Sequence, residues 1–100
     1  MKSINSPVRK ALGEAIKEAR EQAKLTQAQV AARLEWPQNR ISQIERGGRN
    51  VEVSELVEIA WAIGCPADAI LKRAVEIAGP SVSAQGHRVR QRSRKRPKAR

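Results

Sequence analysis

Apolar positions recur every three or four residues through most of the first 78 residues of the chain, and nowhere do they alternate over a useful length. Val8, Leu12, Ala15, Ile16, Ala19 and Ala23 form one such row, with Glu14, Lys17, Glu18 and Glu21 on the other side. This spacing predicts an amphipathic helix from Val8 to Lys24. Pro7 suits its first turn, where a missing amide hydrogen is no loss. Leu25 and Thr26 break the row, and Thr26 can accept a hydrogen bond from the amides that open a second helix, Gln27 to Leu34. Its inward residues are Val30, Ala31 and Leu34. Pro37 bars any continuation and pushes Trp36 out of the helical region. A third helix therefore begins there and closes at Gly47 and Gly48. Val53, Leu56, Val57, Ala60 and Ile63 mark a fourth, ending at Gly64. The fifth follows Pro66 and carries Ile70, Leu71, Ala74, Val75 and Ile77 to Gly79. Short helices joined by tight turns predict an all-α, five-helix bundle.

The third helix differs from the rest. Winding Gln38 to Arg46 at about 100° per residue puts Ile41 and Ile44 on one side and Gln38, Asn39, Ser42, Gln43 and Arg46 on the other. That outward face holds three amides, a hydroxyl and a guanidinium, with no carboxylate. Amides pair bidentately with adenine edges, and arginine does so with guanine, in a major groove about as wide as a helix. A polar face of this kind is also what a solvated helix presents. The preceding helix, a few residues away, makes the pair a candidate helix-turn-helix, in which the first member crosses the phosphate backbone and the second enters the groove.

Composition sharpens this picture. The formal net charge is +10 over 100 residues, which implies a polyanionic partner, nucleic acid or an anionic membrane surface. The charge is unevenly placed. From Gly79 onward the chain has eight basic residues and no acid, whereas residues 1–78 hold twelve basic residues against ten acidic ones. The expected organisation is an N-terminal arm over residues 1–7, a folded domain over 8–78, and a disordered basic tail over 79–100. In the tail, Arg88, Arg90, Arg92, Arg94, Lys95 and Arg96 are candidates for non-specific phosphate contact, against the plainer role of solubilising the chain. Cys65 is the only cysteine and His87 the only histidine, so there is neither a disulfide framework nor a set of soft ligands for a metal, and no cofactor is expected. The two residues lie in different regions without a matching acid, base or nucleophile signal, which argues against an enzyme. No run approaches the roughly 20 apolar residues of a membrane span. A soluble, cytoplasmic, nucleoid-associated protein is the expectation.

Residues 12–71 resemble the helix-turn-helix family of phage repressors and Cro proteins, the xenobiotic-response-element type regulators. The resemblance rests on Leu25-Thr26-Gln27, on Ile41-Ser42 and Ile44-Glu45 followed by Gly47, and on the later run of Leu56, Ala60, Ile63 and Gly64, all in order. It implies a lambda-repressor-like fold and a DNA partner, commonly an inverted repeat bound by a two-fold dimer with half-sites roughly 34 Å apart. By the same resemblance Gln38, Asn39 and Gln43 match positions that read base edges, and Gln27 matches a phosphate contact at a helix N-terminus. Ser42 and Arg46 on the same face, and Arg49 and Asn50 in the following loop, are assigned to phosphate. Arg20 and Glu45 match a structural ion pair tying the first helix to the third.

The chain departs from the family pattern at Glu35, where glycine is frequent, at Pro37, in place of a Ser or Thr cap, and at Glu52, where a small cap usually opens the fourth helix. These changes leave the groove angle of the third helix open. Arg40 flanks the isoleucine side, facing either DNA or Trp36. Trp61 falls between core positions, and together with Ile70 and Ala74 on the long fifth helix it is a candidate homodimer interface, the alternative for Trp61 being ordinary core. The function expected is a sequence-specific transcriptional regulator, in the first instance a repressor. One variant is the antitoxin of a toxin-antitoxin pair that represses its own operon. Another is an adaptor that docks on the transcription machinery and binds nucleic acid without sequence preference.

Overall fold

In the computed structural model, which describes residues 7–79, the chain forms α1 (Pro7–Gln22), α2 (Gln27–Leu34), α3 (Gln38–Glu45), α4 (Val53–Ile63) and α5 (Ala67–Ala78). Among the described residues there is no strand. The expected all-α bundle is present, with each helix close to its predicted span. Residues 1–6 of the arm and 80–100 of the tail, including Arg88, Arg90, Arg92, Arg94, Lys95 and Arg96, lie outside the described residues.

α4 supplies more apolar residues to the core than any other helix. It buries Leu56, Ile59, Ala60, Ala62 and Ile63 against Ile16 of α1, Val30 and Ala31 of α2, Ile41 and Ile44 of α3, and Ile70 and Ala74 of α5. Each fully buried Ile, Leu or Val side chain contributes about 1.5–3 kcal/mol. α5 runs back along α1, where Arg73 donates to both carboxylate oxygens of Glu18, from Nε at 2.8 Å and Nη2 at 3.3 Å. α2 and α3 pack on each other, with α3 also against α1 and α2 also against α4.

The helix ends explain why the spans are short. α1 stops at Gln22, two residues before the predicted Lys24, because Lys24 adopts a left-handed conformation (φ 60°). The amide of Lys24 then donates to the carbonyl of Glu21, and that of Leu25 to Arg20. Glu35 (φ 61°) repeats this arrangement after α2, with its amide bonded to Ala32 and that of Trp36 to Ala31. Such paired bonds close helices most cheaply on glycine, which lacks a Cβ to clash, yet lysine and glutamate occupy these positions here. Gly47 (φ 77°) closes α3 in the same way. Thr26 caps α2: its Oγ accepts from the amide of Gln29 at 3.0 Å, while the Gln29 side chain accepts from the amide of Thr26 at 2.8 Å.

Candidate nucleic-acid interface

α3 is eight residues long and contributes two isoleucines to the core, each 1% exposed. Gln38, Asn39, Gln43 and Arg46 stand exposed on the other side, with Ser42 half-buried. Among the described residues no hydrogen bond engages the side-chain amides of Gln38, Asn39 or Gln43. Arg46 and Ser42 are linked, Nη1 donating to Oγ at 2.8 Å. α2 precedes α3 across a three-residue turn, Glu35 to Pro37, so the two short helices form a helix-turn-helix unit.

Behind this face lies a buried polar knot. Arg20 donates from Nε to Oε2 of Glu45 at 2.7 Å and from Nη2 to Oε1 at 3.1 Å, and its Nη1 caps the carbonyl of Leu25 at 2.8 Å. The Glu45 carboxylate, with its side chain only 3% exposed, holds the Arg20 proton more tightly than in water. Gln27 at the start of α2 donates from Nε2 to the same carboxylate at 2.9 Å. One glutamate therefore joins α1, α2 and α3. Gln27 is half-buried in this network.

A family model described as helix-turn-helix matches residues 16–70, from the second half of α1 to the first turn of α5. The chain belongs to the helix-turn-helix family of xenobiotic-response-element type regulators. Among solved structures it is similar to the clp gene regulator ClgR from C. glutamicum, with 27% identity and a TM-score of 0.65 over 67% of this chain and 87% of that one. No protein of curated function is similar enough in sequence to be matched. Membership of this family makes the chain a DNA-binding transcription regulator.

Around the unit, two loop residues assigned to phosphate are anchored by side chains that the sequence did not single out. Asn50 Oδ1 accepts from Arg9 of α1, Nε at 3.0 Å and Nη2 at 2.6 Å, which leaves its amide nitrogen as the donor end. Arg49 donates to Glu55 Oε2 at 3.4 Å and to the carbonyl of Asn50 at 3.3 Å. Lys10 packs beside Gly47: a Cβ on that glycine would lie 2.8 Å from Lys10 Cγ. Arg9 and Lys10 thus add two cations from α1 to the edge formed by Arg46 and Arg49. No spacing rule could have flagged them, since they are simply the charged residues of a helix's first turns.

Gly13 inside α1 marks a close backbone approach, which a glycine within a helix can signal. A Cβ there would stand 2.7 Å from the carbonyl oxygen of Glu45 and closer still to that of Ile44. α1 and α3 cross at this residue. Arg40, which sequence left between DNA and Trp36, turns inward: its guanidinium carbon lies 3.8 Å from the Trp36 ring centre. Glu52 opens α4 with an extended backbone, and its amide donates to Glu55 Oε1 at 3.1 Å, so this departure keeps a helix start. Pro37 stands before α3 with an extended backbone rather than inside the first turn, and gives no side-chain cap.

The proposed dimer surface needs correction. Ile70 and Ala74 are 2% and 4% exposed, packed beneath α1 and α4, and no partner can reach them. The three-residue and four-residue spacing of α5 gave two apolar rows, and the structure buries the row that faces α1. Leu71 and Val75 of the other row are exposed instead. Trp61 is 75% exposed and is not core; beside it Arg33, Leu34, Glu58 and Ala62 line a shallow depression. Cys65 is half-buried, and burial pushes its thiol pKa up, which keeps it protonated. Among the described residues no group of three His, Cys, Asp or Glu converges as a metal site, and no helix is long and apolar enough to cross a membrane.

Proposed function

We propose that the protein is a sequence-specific repressor that lays α3 in the DNA major groove. Gln38, Asn39 and Gln43 read base edges, and Gln27, Ser42, Arg46, Arg49 and Asn50 hold phosphates on either side. The observation that carries this reading is a contrast on one helix: the three outward amides of α3 are unengaged, whereas the side chains behind them are locked by Arg20, Glu45 and Gln27. Groups left open on a rigid support are what base readout needs, because ordering them on DNA then requires little rearrangement. The protein acts as a homodimer on an inverted repeat, with exposed Trp61 as an anchor of the subunit contact. The basic tail adds affinity without sequence preference.

Selection from random duplex DNA at near-physiological salt tests this function. An enriched inverted repeat of constant half-site spacing is the expected result; binding without any enriched sequence would overturn it. Gln43→Ala then relaxes preference at one operator position, costing roughly 1–3 kcal/mol.

A further inference from the structure

Two departures from the family pattern meet at the start of α3. The turn before it passes through left-handed Glu35, and Pro37 offers no side-chain acceptor to the first amides of the helix. The C-terminal end of α3 is tied down by Glu45, through Arg20 and Gln27. Its N-terminal end lacks a cap, and Ile41 is the apolar anchor nearest to it. Isoleucine packing is non-directional, so burial alone leaves rotation of that end weakly determined.

Arg40 supplies the missing restraint. Its guanidinium stacks 3.8 Å from the centre of Trp36, a turn residue packed against the core. Its Nη2 donates to Glu55 Oε2 at 2.6 Å. Glu55 is itself immobilised, since Oε1 accepts from the amide of Glu52 and Oε2 also receives Arg49. One side chain of α3 is therefore gripped by the turn behind it and by the first turn of α4. The grip is directional on both sides, as cation–π and charge-assisted hydrogen bonds are. It also holds Arg40 Nε buried with no partner, a desolvation that a side chain pointing into water would not carry.

We propose that Arg40 is a positioning residue for DNA recognition: clamped between Trp36 and Glu55, it sets the rotation of the N-terminal half of α3 and so aims Gln38 and Asn39 at the bases. This rests on the reading that α3 enters the groove. Gln38 and Asn39 directly precede Arg40, whereas Gln43 stands two residues before Glu45, in the half of α3 that Glu45 holds. Release of the clamp therefore moves the two N-terminal readers while Gln43 and the phosphate contacts stay in place.

The test uses the full chain with Arg40→Met, which keeps the aliphatic stem, and Trp36→Leu as a second variant, both studied well below their melting temperatures. Residual dipolar couplings of the free proteins report the direction of α3 relative to α1. Binding is compared on the duplex that the wild-type protein enriches from a random library, on versions altered under each half of α3, and on an unrelated duplex. The expected result is a reoriented α3 start and a loss of discrimination of about tenfold, confined to the bases under Gln38 and Asn39, with binding to the unrelated duplex changed less than about twofold. A purely structural role would lower the melting temperature and leave both readouts at wild-type values, and that result overturns the proposal. So does a reoriented helix with full discrimination. If wild-type protein enriches no sequence, the groove reading is what fails, and an undisturbed α3 direction in Arg40→Met still overturns the clamp.

Discussion

α3 and α4 are neighbours in the chain and in the core, yet they are held by different forces. α4 places five residues in the core, all aliphatic. α3 buries only Ile41 and Ile44 together with the charged Glu45, and is pinned by two ion pairs, Arg20–Glu45 and Arg40–Glu55. The difference teaches that a helix whose outward face must remain polar has too little apolar surface to fix its own direction. Burial holds it near the core, and directional polar bonds set its angle. α4 shares one of those bonds through Glu55, but its larger apolar stripe adds five buried residues to what holds it in place.

The largest effect should follow from breaking the polar anchorage of α3. Glu45→Ala removes the carboxylate that both Nε and Nη2 of buried Arg20 bond, and should cost about 3–5 kcal/mol in chemical denaturation. Replacing both partners, as Arg20→Met with Glu45→Leu, should recover most of that loss, and failure to do so would mean that α3 is held chiefly by packing. Next in size is Gly13→Ala, which drives a Cβ into the carbonyls of Ile44 and Glu45. A loss of about 1–3 kcal/mol is expected, read from the same denaturation midpoint, with α4 unaffected in its own amide exchange until global unfolding. Glu35→Gly works in the opposite direction. It relieves the left-handed conformation in the turn between α2 and α3, and should raise stability by about 0.5–1 kcal/mol in calorimetry.

The smallest effect lies in the acid limb. The amide of Glu52, with Arg40 and Arg49, holds the Glu55 carboxyl below the usual carboxylate range against the opposing pull of burial. Arg73 does the same for Glu18. Because both groups titrate lower when folded, the stability they add is full above their unfolded pKa values, near 4.3, and is lost as the pH falls through the folded ones. Melting temperature measured against pH should therefore drop in that window. Glu55→Gln should flatten the drop, and an unchanged acid limb would show that the carboxylate gains nothing from its partners.

Much of this architecture was legible from particular residues. Pro37, Pro66, Gly47 and Gly64 punctuate the helices, and the isoleucine pair of α3 alone told which side of it faces out. Other features were hidden for identifiable reasons. Gly13 marks a helix crossing, which requires knowing which helix lies opposite. Arg40 had two equally near destinations on the sequence, and Glu55, fifteen residues away, decided between them. The apolar rows of α5 overlap at helical spacing, so periodicity could not tell Ile70 and Ala74, which α1 covers, from Leu71 and Val75, which it does not.

The sequence by itself determined the helices, their order and the polar face of α3, because these depend on local dihedral preferences and on a period of 3.6 residues that any short stretch reveals. Only the tertiary structure decided how that face is aimed, which cations stand beside it and which apolar surface stays open. Those properties depend on partners brought together from distant parts of the chain, such as Arg20 with Glu45, Arg9 with Asn50 and Arg40 with Glu55. No local pattern encodes a pairing that exists only once the helices are packed together.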